Sequence, residues 1–197
     1  MPYTQIVLAS ASPRRRELLA QVGITVRSVP AAVDETVLRG ESAARHVVRL
    51  SEAKAFAIAA RHDVPGRWFI GSDTVVVRDG TILGKPANAA DAATMLHSLA
   101  GRAHQVVTGF AVHDRASGRI ISDAVVTRVW IKPLTTMEIA GYLATGEPFD
   151  KAGAYAIQGH GAFMVPRIEG SYTNVVGLPL CEVLAALEQL GAPPPFS

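Results

Sequence analysis

The amino-acid sequence predicts a mixed fold of the α/β or α+β class, and three observations support this prediction. Short apolar runs of strand length alternate with longer stretches of helical periodicity, which is typical of a sheet covered by helices. Glycine, proline and an Asp-Gly pair separate these stretches where turns and helix ends are expected. Of the 197 residues, 49% are hydrophobic and 18% are charged, a composition that excludes a disordered chain and allows a sizeable core.

The boundary signals are clearest at the first helix and at one hairpin. Ser12 followed by Pro13 is typical of an N-cap and a first helical residue, and Gly23 fits the position just after the helix. The pair Asp79-Gly80 predicts a tight hairpin turn. The complete pattern predicts helices over residues 13–22, 42–62, 89–99, 135–144 and 182–190, and strands over residues 5–9, 24–29, 68–70, 75–77, 81–83, 105–113 and 120–131.

The chain shows no internal repeat and no linker-like stretch before its proline-rich tail, so we expect a single domain over residues 1–197. Residues 146–161 are glycine-rich and predict an irregular segment. The proline-rich tail at residues 192–195 cannot continue a helix and is expected to be exposed.

Composition and charge limit the class of protein. The single cysteine, Cys181, excludes an internal disulfide and a cysteine-based zinc site, which fits a reducing compartment. The 19 basic and 17 acidic residues give a net charge of +2, too balanced for a protein with a basic face for duplex nucleic acid. No apolar stretch reaches the ~18 residues of a membrane span, and the opening segment MPYTQIVLAS lacks the pattern of a signal peptide. We therefore expect a cytoplasmic protein without a membrane or nucleic-acid partner.

Three arginines, residues 14–16, occupy the first turn of the first predicted helix. The helix macrodipole is already positive there, so each exposed arginine is unfavourable by about 0.3–1 kcal/mol. A bound anion reverses that sign, because the free N–H groups, the dipole and the guanidinium groups all favour it. The pattern leaves two interpretations open: a phosphate site, or arginines that extend into solvent and pair with surface carboxylates such as Glu17.

Asp73 is a second anomaly, because aspartate is depleted in strands and here lies between two apolar strand segments. It is either a strand-end turn residue or a carboxylate that activates water or binds a metal. Two interpretations are also open for Asp34-Glu35, Lys54 and Lys85. They are either a solvated acidic loop, a solvent-facing lysine on a helix and an ordinary loop lysine, respectively, or together they are parts of a site for phosphates and Mg²⁺.

The irregular segment over residues 146–161 carries carboxylates, a lysine and Gln158. Long loops of this kind are more often functional than ordinary connectors. The amide of Gln158 both donates and accepts hydrogen bonds, which suits recognition of a nucleobase edge, although a turn-stabilising amide is the alternative.

Two common phosphate-binding motifs are excluded by spacing. Residues 80–86 resemble a P-loop, but the segment is one residue short and ends in Pro86 instead of serine or threonine. Gly159-His160-Gly161 lacks the third glycine of the dinucleotide motif, because Met164 stands there. The sequence therefore predicts neither a Walker ATPase nor a Rossmann cofactor domain.

Across residues 5–190 the chain nevertheless resembles the Maf family of nucleoside triphosphate pyrophosphatases. The resemblance is carried by ordered segments that read as follows: Ala9-Ser10-Ala11-Ser12-Pro13-Arg14-Arg15, Asp34-Glu35, Ala53-Lys54-Ala55, Gly71-Ser72-Asp73-Thr74-Val75-Val76, Leu83-Gly84-Lys85-Pro86, Asp150-Lys151-Ala152-Gly153-Ala154-Tyr155, Gln158-Gly159, Gly170-Ser171-Tyr172 and Asn174-Val175-Val176-Gly177-Leu178-Pro179-Leu180.

The resemblance implies a Maf and inosine-triphosphatase type of α/β fold, with a long mixed β-sheet, flanking helices and a cleft between two lobes. It also implies cleavage of a nucleoside triphosphate between the α and β phosphates, with a divalent cation, Mg²⁺ or Mn²⁺, as cofactor. The products are a nucleoside monophosphate and inorganic diphosphate, that is, pyrophosphate.

The same resemblance implies roles for individual residues. Asp73 is expected to accept the proton of the attacking water, and Glu35 to help with the metal or the water. The residues expected to hold the phosphates are Ser10, Arg14, Lys54 and Lys85.

Arg14, Thr74 and Gln158 resemble the branch of the family that acts on dTTP and UTP, whereas a branch preferring 7-methyl-GTP differs around Gln158. Two other hypotheses remain: a nucleotide-binding regulator of septum formation and cell division, and an enzyme that removes modified pyrimidine nucleotides. A homodimer is expected only because it is the commonest assembly of soluble proteins.

Overall fold

The computed structural model describes residues 5–196 and contains a mixed β-sheet of seven strands flanked by helices. The predicted α/β fold with a long mixed sheet is confirmed. The strands are β1 (Ile6–Leu8), β2 (Arg27–Ser28), β3 (Trp68–Arg78), β4 (Thr81–Leu83), β5 (Ala103–Asp114), β6 (Ile120–Trp130) and β7 (Arg167–Glu169). The helices are α1 (Pro13–Gln21), α2 (Ala43–Ala59), α3 (Ala89–Leu99), α4 (Thr136–Ala144), α5 (Tyr172–Val176) and α6 (Leu180–Gln189).

Residues 1–4 and Ser197 lie outside the described residues. Residues 1–4 belong to the opening segment that predicts the absence of a signal peptide. In the part of the chain that is described, no helix combines the length and the apolar character needed to cross a bilayer.

The order of the strands in the sheet is β2-β1-β3-β5-β6-β7, and β4 pairs with β3 outside this sequence. β1 runs parallel to both β2 and β3, with Val7 opposite Arg27 and Phe69. β4 is antiparallel to β3, and β7 is antiparallel to β6. The hairpin between β3 and β4 turns at Asp79 and Gly80, which both have positive φ, as predicted for an Asp-Gly turn.

The described residues form two compact units. The first contains residues 5–73, Thr108–Val125 and residues 177–196, and the second contains Thr74–Val107 and Val126–Val176. Strands β3, β5 and β6 contribute residues to both units. A core of the first unit contains Val7, Ala55, Ile58, Phe69 and Ala111. The core of the second contains Leu96, Leu99, Val129, Ile139, Tyr142 and Met164. The assignment of residues 1–197 to one domain stays a prediction.

Three predicted strands differ from those observed. The apolar runs at residues 68–70 and 75–77 belong to one continuous strand, β3, because the polar residues between them pair as strand too. The strand predicted over residues 24–29 is reduced to β2. The N–H of Ile24 still donates to the carbonyl of Leu19 at 3.0 Å, which ties this part of the chain to the end of α1.

The segment predicted to be irregular consists of three short 3₁₀ helices, over Glu147–Asp150, Ala152–Ala154 and Gly159–Met164. Positive φ angles occur at Gly146 before the first of these helices, at Gly153 within the second and at Gly159 at the start of the third. The tail is largely exposed, as predicted, although Ala192 is buried. The short elements β7 and α5 were not predicted.

Candidate functional site

The first unit brings one lysine between two carboxylates. Nζ of Lys54 lies 2.7 Å from Oδ1 of Asp73 and 2.7 Å from Oε1 of Glu35. The side chains of Lys54 and Asp73 are 9% and 13% exposed, whereas that of Glu35 is 57% exposed. The arrangement is therefore a buried ion pair with a second carboxylate at its solvent-facing side.

The elements that carry these residues explain the contact. Lys54 lies on the buried face of α2, and Asp73 lies in the middle of β3. A buried ammonium is unfavourable unless it is paired, so the carboxylate of Asp73 compensates the cost of burying Lys54. The interpretation of Lys54 as a solvent-facing lysine is wrong, and Asp73 is a strand residue, not a turn residue.

The loop between β1 and α1 forms a second cluster around Ser10. Oγ of this buried serine accepts hydrogen bonds from the N–H of Ser12 and from Nη1 of Arg15, both at 3.1 Å. A serine hydroxyl that accepts two hydrogen bonds still has its own proton to donate. Ser12 occupies the predicted N-cap position, and Arg14 lies in the first turn of α1.

Arg15 ties this loop to two other backbone segments of the first unit. Its Nε donates to the carbonyl of Gly177 at 2.7 Å, and Nη1 donates to the carbonyl of Ser72 at 2.8 Å. Burial lowers the pKa of the Arg15 guanidinium, and the negative charge of Asp73 opposes that shift. The interpretation in which the arginines extend into solvent is therefore wrong for Arg15.

The oxygen atoms of Asp73 and Glu35 match the donors that Mg²⁺ and Mn²⁺ prefer. Because Oδ1 of Asp73 and Oε1 of Glu35 contact the same Nζ of Lys54, these two oxygens can be no farther apart than the sum of those two contacts. Within residues 5–196, no group of three or more His, Cys, Asp or Glu side chains is placed to hold a metal ion. Enzymes acting on nucleotides commonly hold Mg²⁺ with one or two carboxylates together with substrate phosphates, and the pair fits that donor set.

The second unit contains the other residues singled out in the sequence. Thr74 lies on β3 and is partly exposed, and Lys85 is exposed in the segment after β4. The carbonyl of Gly84 accepts a hydrogen bond from the N–H of Gly153 at 3.0 Å, which joins the segment carrying Lys85 to the 3₁₀ segment. Gln158 is partly buried at the N-cap of the third 3₁₀ helix.

The structure thus groups Lys54, Asp73 and Glu35 in the first unit, where Ser10 forms a cluster with Arg15. Arg15 was not among the candidate site residues, although it stands next to Arg14. Its carbonyl partner at Gly177 is 162 residues away in the sequence, so no local pattern indicates which of the adjacent arginines is directed inward.

Comparisons with a family model and with individual proteins both match this chain to Maf-like proteins and to proteins named dTTP/UTP pyrophosphatase. The model of the Maf-like protein family matches residues 5–190. A dTTP/UTP pyrophosphatase of Syntrophotalea carbinolica is 63% identical over 187 residues, which cover 95% of this chain and 85% of that protein. A dTTP/UTP pyrophosphatase of Geotalea uraniireducens is 57% identical over 96% of each chain. A third protein of the same name, from Myxococcus xanthus, is 49% identical over 98% of this chain and 96% of its own.

Proposed function

The chain belongs to the Maf family, and we propose that it hydrolyses dTTP and UTP between the α and β phosphates. The products are the nucleoside monophosphate and pyrophosphate. The observation that carries this proposal is the identity of 63% over 95% of the chain to a protein named dTTP/UTP pyrophosphatase. The hypotheses of a 7-methyl-GTP enzyme and of a purely binding regulator of cell division lack support of this kind.

We propose that Asp73 accepts the proton of the attacking water. In support, Nζ of Lys54 contacts one of its oxygens at 2.7 Å, which fixes the orientation of the carboxylate. A positioned general base typically contributes ~10²–10⁴-fold to the rate. Glu35 lies on the exposed side of Lys54, a position that suits contact with a metal or with the incoming water.

A triphosphate carries about four negative charges, and cationic side chains that surround it stabilise the charge developing on pyrophosphate. We propose that Ser10, Arg14, Lys54 and Lys85 bind the phosphates. A divalent cation bound with the help of Glu35 would neutralise phosphate charge. Support for the role of Ser10 comes from its Oγ, which accepts two hydrogen bonds and retains a proton to donate.

We propose that Thr74 and Gln158 take part in base recognition. We also propose that the protein works in the cytoplasm, where its single cysteine, Cys181, stays reduced. A homodimer without nucleic-acid partners stays a prediction.

A panel of triphosphates tests the substrate class. We expect kcat/KM for dTTP and UTP, measured with Mg²⁺, to exceed that for dGTP and 7-methyl-GTP by at least about tenfold, because an amide reads a base edge by hydrogen bonds. Modified pyrimidine triphosphates in the same panel identify a preference beyond the standard nucleotides. Hydrolysis of none of these compounds, or a preference for 7-methyl-GTP, would overturn the proposal.

Removal of the metal is a matched control for the same panel. Excess chelator is expected to abolish pyrophosphate release, and added Mg²⁺ or Mn²⁺ is expected to restore it. Full activity in chelator would remove the divalent cation from the proposal and leave the substrate class standing.

A further inference from the structure

The carboxylate of Glu147 lies at the centre of a hydrogen-bond cluster in the second unit. Its Oε1 accepts from the hydroxyl of Tyr142 at 2.8 Å and from the N–H of Gly161 at 2.9 Å. Its Oε2 accepts from the N–H of His160 at 3.0 Å. The Glu147 side chain is only 17% exposed, so these donors replace most of its water.

The space around this carboxylate is tightly filled. Gly159 has a φ of +69°, and a Cβ there would lie 2.4 Å from Oε2 of Glu147. At Gly161, a Cβ would lie 2.3 Å from the carbonyl oxygen of Ala156 and 2.8 Å from the hydroxyl of Tyr142. A side chain at Gly159 would therefore displace the carboxylate of Glu147, and one at Gly161 would displace the backbone of Ala156 and the hydroxyl of Tyr142.

These contacts hold the chain on both sides of Gln158. The hydroxyl of Tyr142 also accepts from the N–H of Ala156 at 3.1 Å, two residues before Gln158. On the other side, His160 and Gly161 donate to Glu147 two and three residues after it. The backbone of Gln158 is thus fixed between two anchored points.

We propose that Glu147 is a positioning residue: it fixes the backbone around Gln158, and thereby the direction of the Gln158 side chain, and so sets the preference for pyrimidine triphosphates. This inference rests on the proposed function and adds a residue to its base recognition. Glu147 acts through the backbone after Gln158, and Tyr142 supports it from α4.

The chemistry of the cluster explains why a carboxylate is required. Each of the Glu147 oxygens receives at least one hydrogen bond, and an ionised carboxylate offers acceptors only. An amide at the same position would direct its NH₂ group at a backbone N–H, or leave that N–H without a partner. Glu147→Gln therefore keeps the size of the side chain and breaks one side of the cluster.

The experiment compares kcat/KM for dTTP and for dGTP in five proteins: wild type, Glu147→Gln, Gln158→Ala, the double variant, and Glu169→Gln. The last is a matched control, because Glu169 is an exposed glutamate of the same unit on β7 and loses the same charge. Circular dichroism and thermal unfolding of every variant separate changes of fold from changes of selectivity.

We expect Glu147→Gln to lower the ratio of kcat/KM for dTTP to kcat/KM for dGTP by at least about fivefold. Most of the effect should be a higher KM for dTTP, because loss of a contact to the base weakens the ground state and the transition state equally. The same ratio for the double variant should lie within about twofold of that for Gln158→Ala alone, because Glu147 then has no glutamine side chain to position. Glu169→Gln should keep the wild-type ratio.

A ratio within about twofold of wild type in folded Glu147→Gln contradicts the inference, as does a double variant in which the two losses multiply. An unchanged ratio in Gln158→Ala contradicts it too, while the proposed hydrolysis stands. Absence of dTTP hydrolysis in the wild type overturns the proposed function itself. If Glu147→Gln does not fold, Tyr142→Phe replaces it, since this variant keeps the buried ring and removes only the hydroxyl, and the same ratio decides.

Discussion

At the scale of single residues, Arg15 links three segments of the first unit through one guanidinium group. The fork geometry of arginine allows Nε and Nη1 to donate to the carbonyls of Gly177 and Ser72 and to Oγ of Ser10 at the same time. Because Ser72 directly precedes Asp73, the same contacts hold the strand position from which the Asp73 carboxylate extends.

We expect Arg15→Lys to lower the free energy of unfolding by about 1–3 kcal/mol, because a lysine keeps the charge and cannot make the three planar contacts. The measurement is urea unfolding of the variant beside Arg16→Lys, a matched change of an exposed arginine on the same helix that should cost less than about 0.5 kcal/mol. Equal stability of the two variants would show that the contacts of Arg15 contribute nothing specific.

Some residues of the candidate site could be identified from the sequence and others could not. Arg14 conflicts with the helix dipole and Asp73 with strand propensity, and both conflicts are local signals that can be identified from the sequence alone. The burial of Lys54 could not be, because it depends on Asp73, 19 residues away on a different element. The contact of Glu147 with His160 depends in the same way on a bend of the chain.

At the scale of elements, glycines allow α2 to approach the sheet. A Cβ at Gly71 on β3 would lie 1.9 Å from the carbonyl oxygen of Ser51, and one at Gly109 on β5 would lie 2.4 Å from that of Val47. Both contacts are to backbone, which has less freedom to move than a side chain. The close approach places Lys54, one turn after Ser51, against Asp73.

We expect Gly71→Ala to destabilise the protein by about 2 kcal/mol or more, because the new methyl group must displace the backbone of α2. The control is Gly141→Ala on α4, where a Cβ meets nothing within 4 Å and alanine favours the helix by about 0.5–1 kcal/mol. Denaturant unfolding of both variants gives the comparison. A neutral Gly71→Ala would contradict the described packing of α2.

The elements differ in how well the sequence predicted them. The bounds of α3 agree with the prediction of residues 89–99. The side chain of Asn88, which was not predicted as an N-cap, accepts a hydrogen bond from the N–H of Asp91 and caps this helix. β7 and α5 were missed, because strands and helices of three to five residues carry too few periodic positions. Their formation depends on contacts such as that of Asn174 with the carbonyl of Val106, 68 residues away.

At the scale of the whole molecule, the buried His104 predicts a pH dependence of stability. Burial lowers the pKa of His104 from 6.5 to about 4, and its Nε2 lies 2.7 Å from the hydroxyl of Tyr155. The unfolded chain binds a proton near pH 6.5, whereas the folded chain does so only near pH 4. Stability is therefore fully present above pH 6.5 and falls as the pH decreases toward 4.

Urea unfolding at pH 7 and pH 5 measures this effect. We expect His104 to contribute a decrease of about 2 kcal/mol between these two values. In His104→Gln the decrease should be smaller but not absent, because burial also lowers the pKa of His113. The carboxylates of Glu41 and Glu138, with pKa values lowered to about 2 chiefly by hydrogen bonds from Arg49 and Lys132, affect stability only below about pH 4.5. An equal decrease in the variant and the wild type would exclude His104 as the cause.

The composition of the whole chain gave a limited but useful prediction. A net charge of +2 argued against a duplex-binding surface, yet it is compatible with cations gathered around one small ligand. The first unit carries Ser10, Arg14, Arg15 and Lys54 near the start of α1 and on the buried face of α2. Net charge averages over such local clusters and therefore cannot predict them.

The proposed reaction is cleavage of dTTP between the α and β phosphates, with Asp73 as the proposed base. The most direct measurement is the identity and rate of the products formed from dTTP with Mg²⁺ by the wild type and by Asp73→Asn. We predict dTMP and pyrophosphate in equal amounts from the wild type, and a folded, dTTP-binding variant that is ~10²–10⁴-fold slower. Formation of dTDP and phosphate would contradict the proposed reaction, and a variant within about tenfold of the wild-type rate would contradict the proposed role of Asp73.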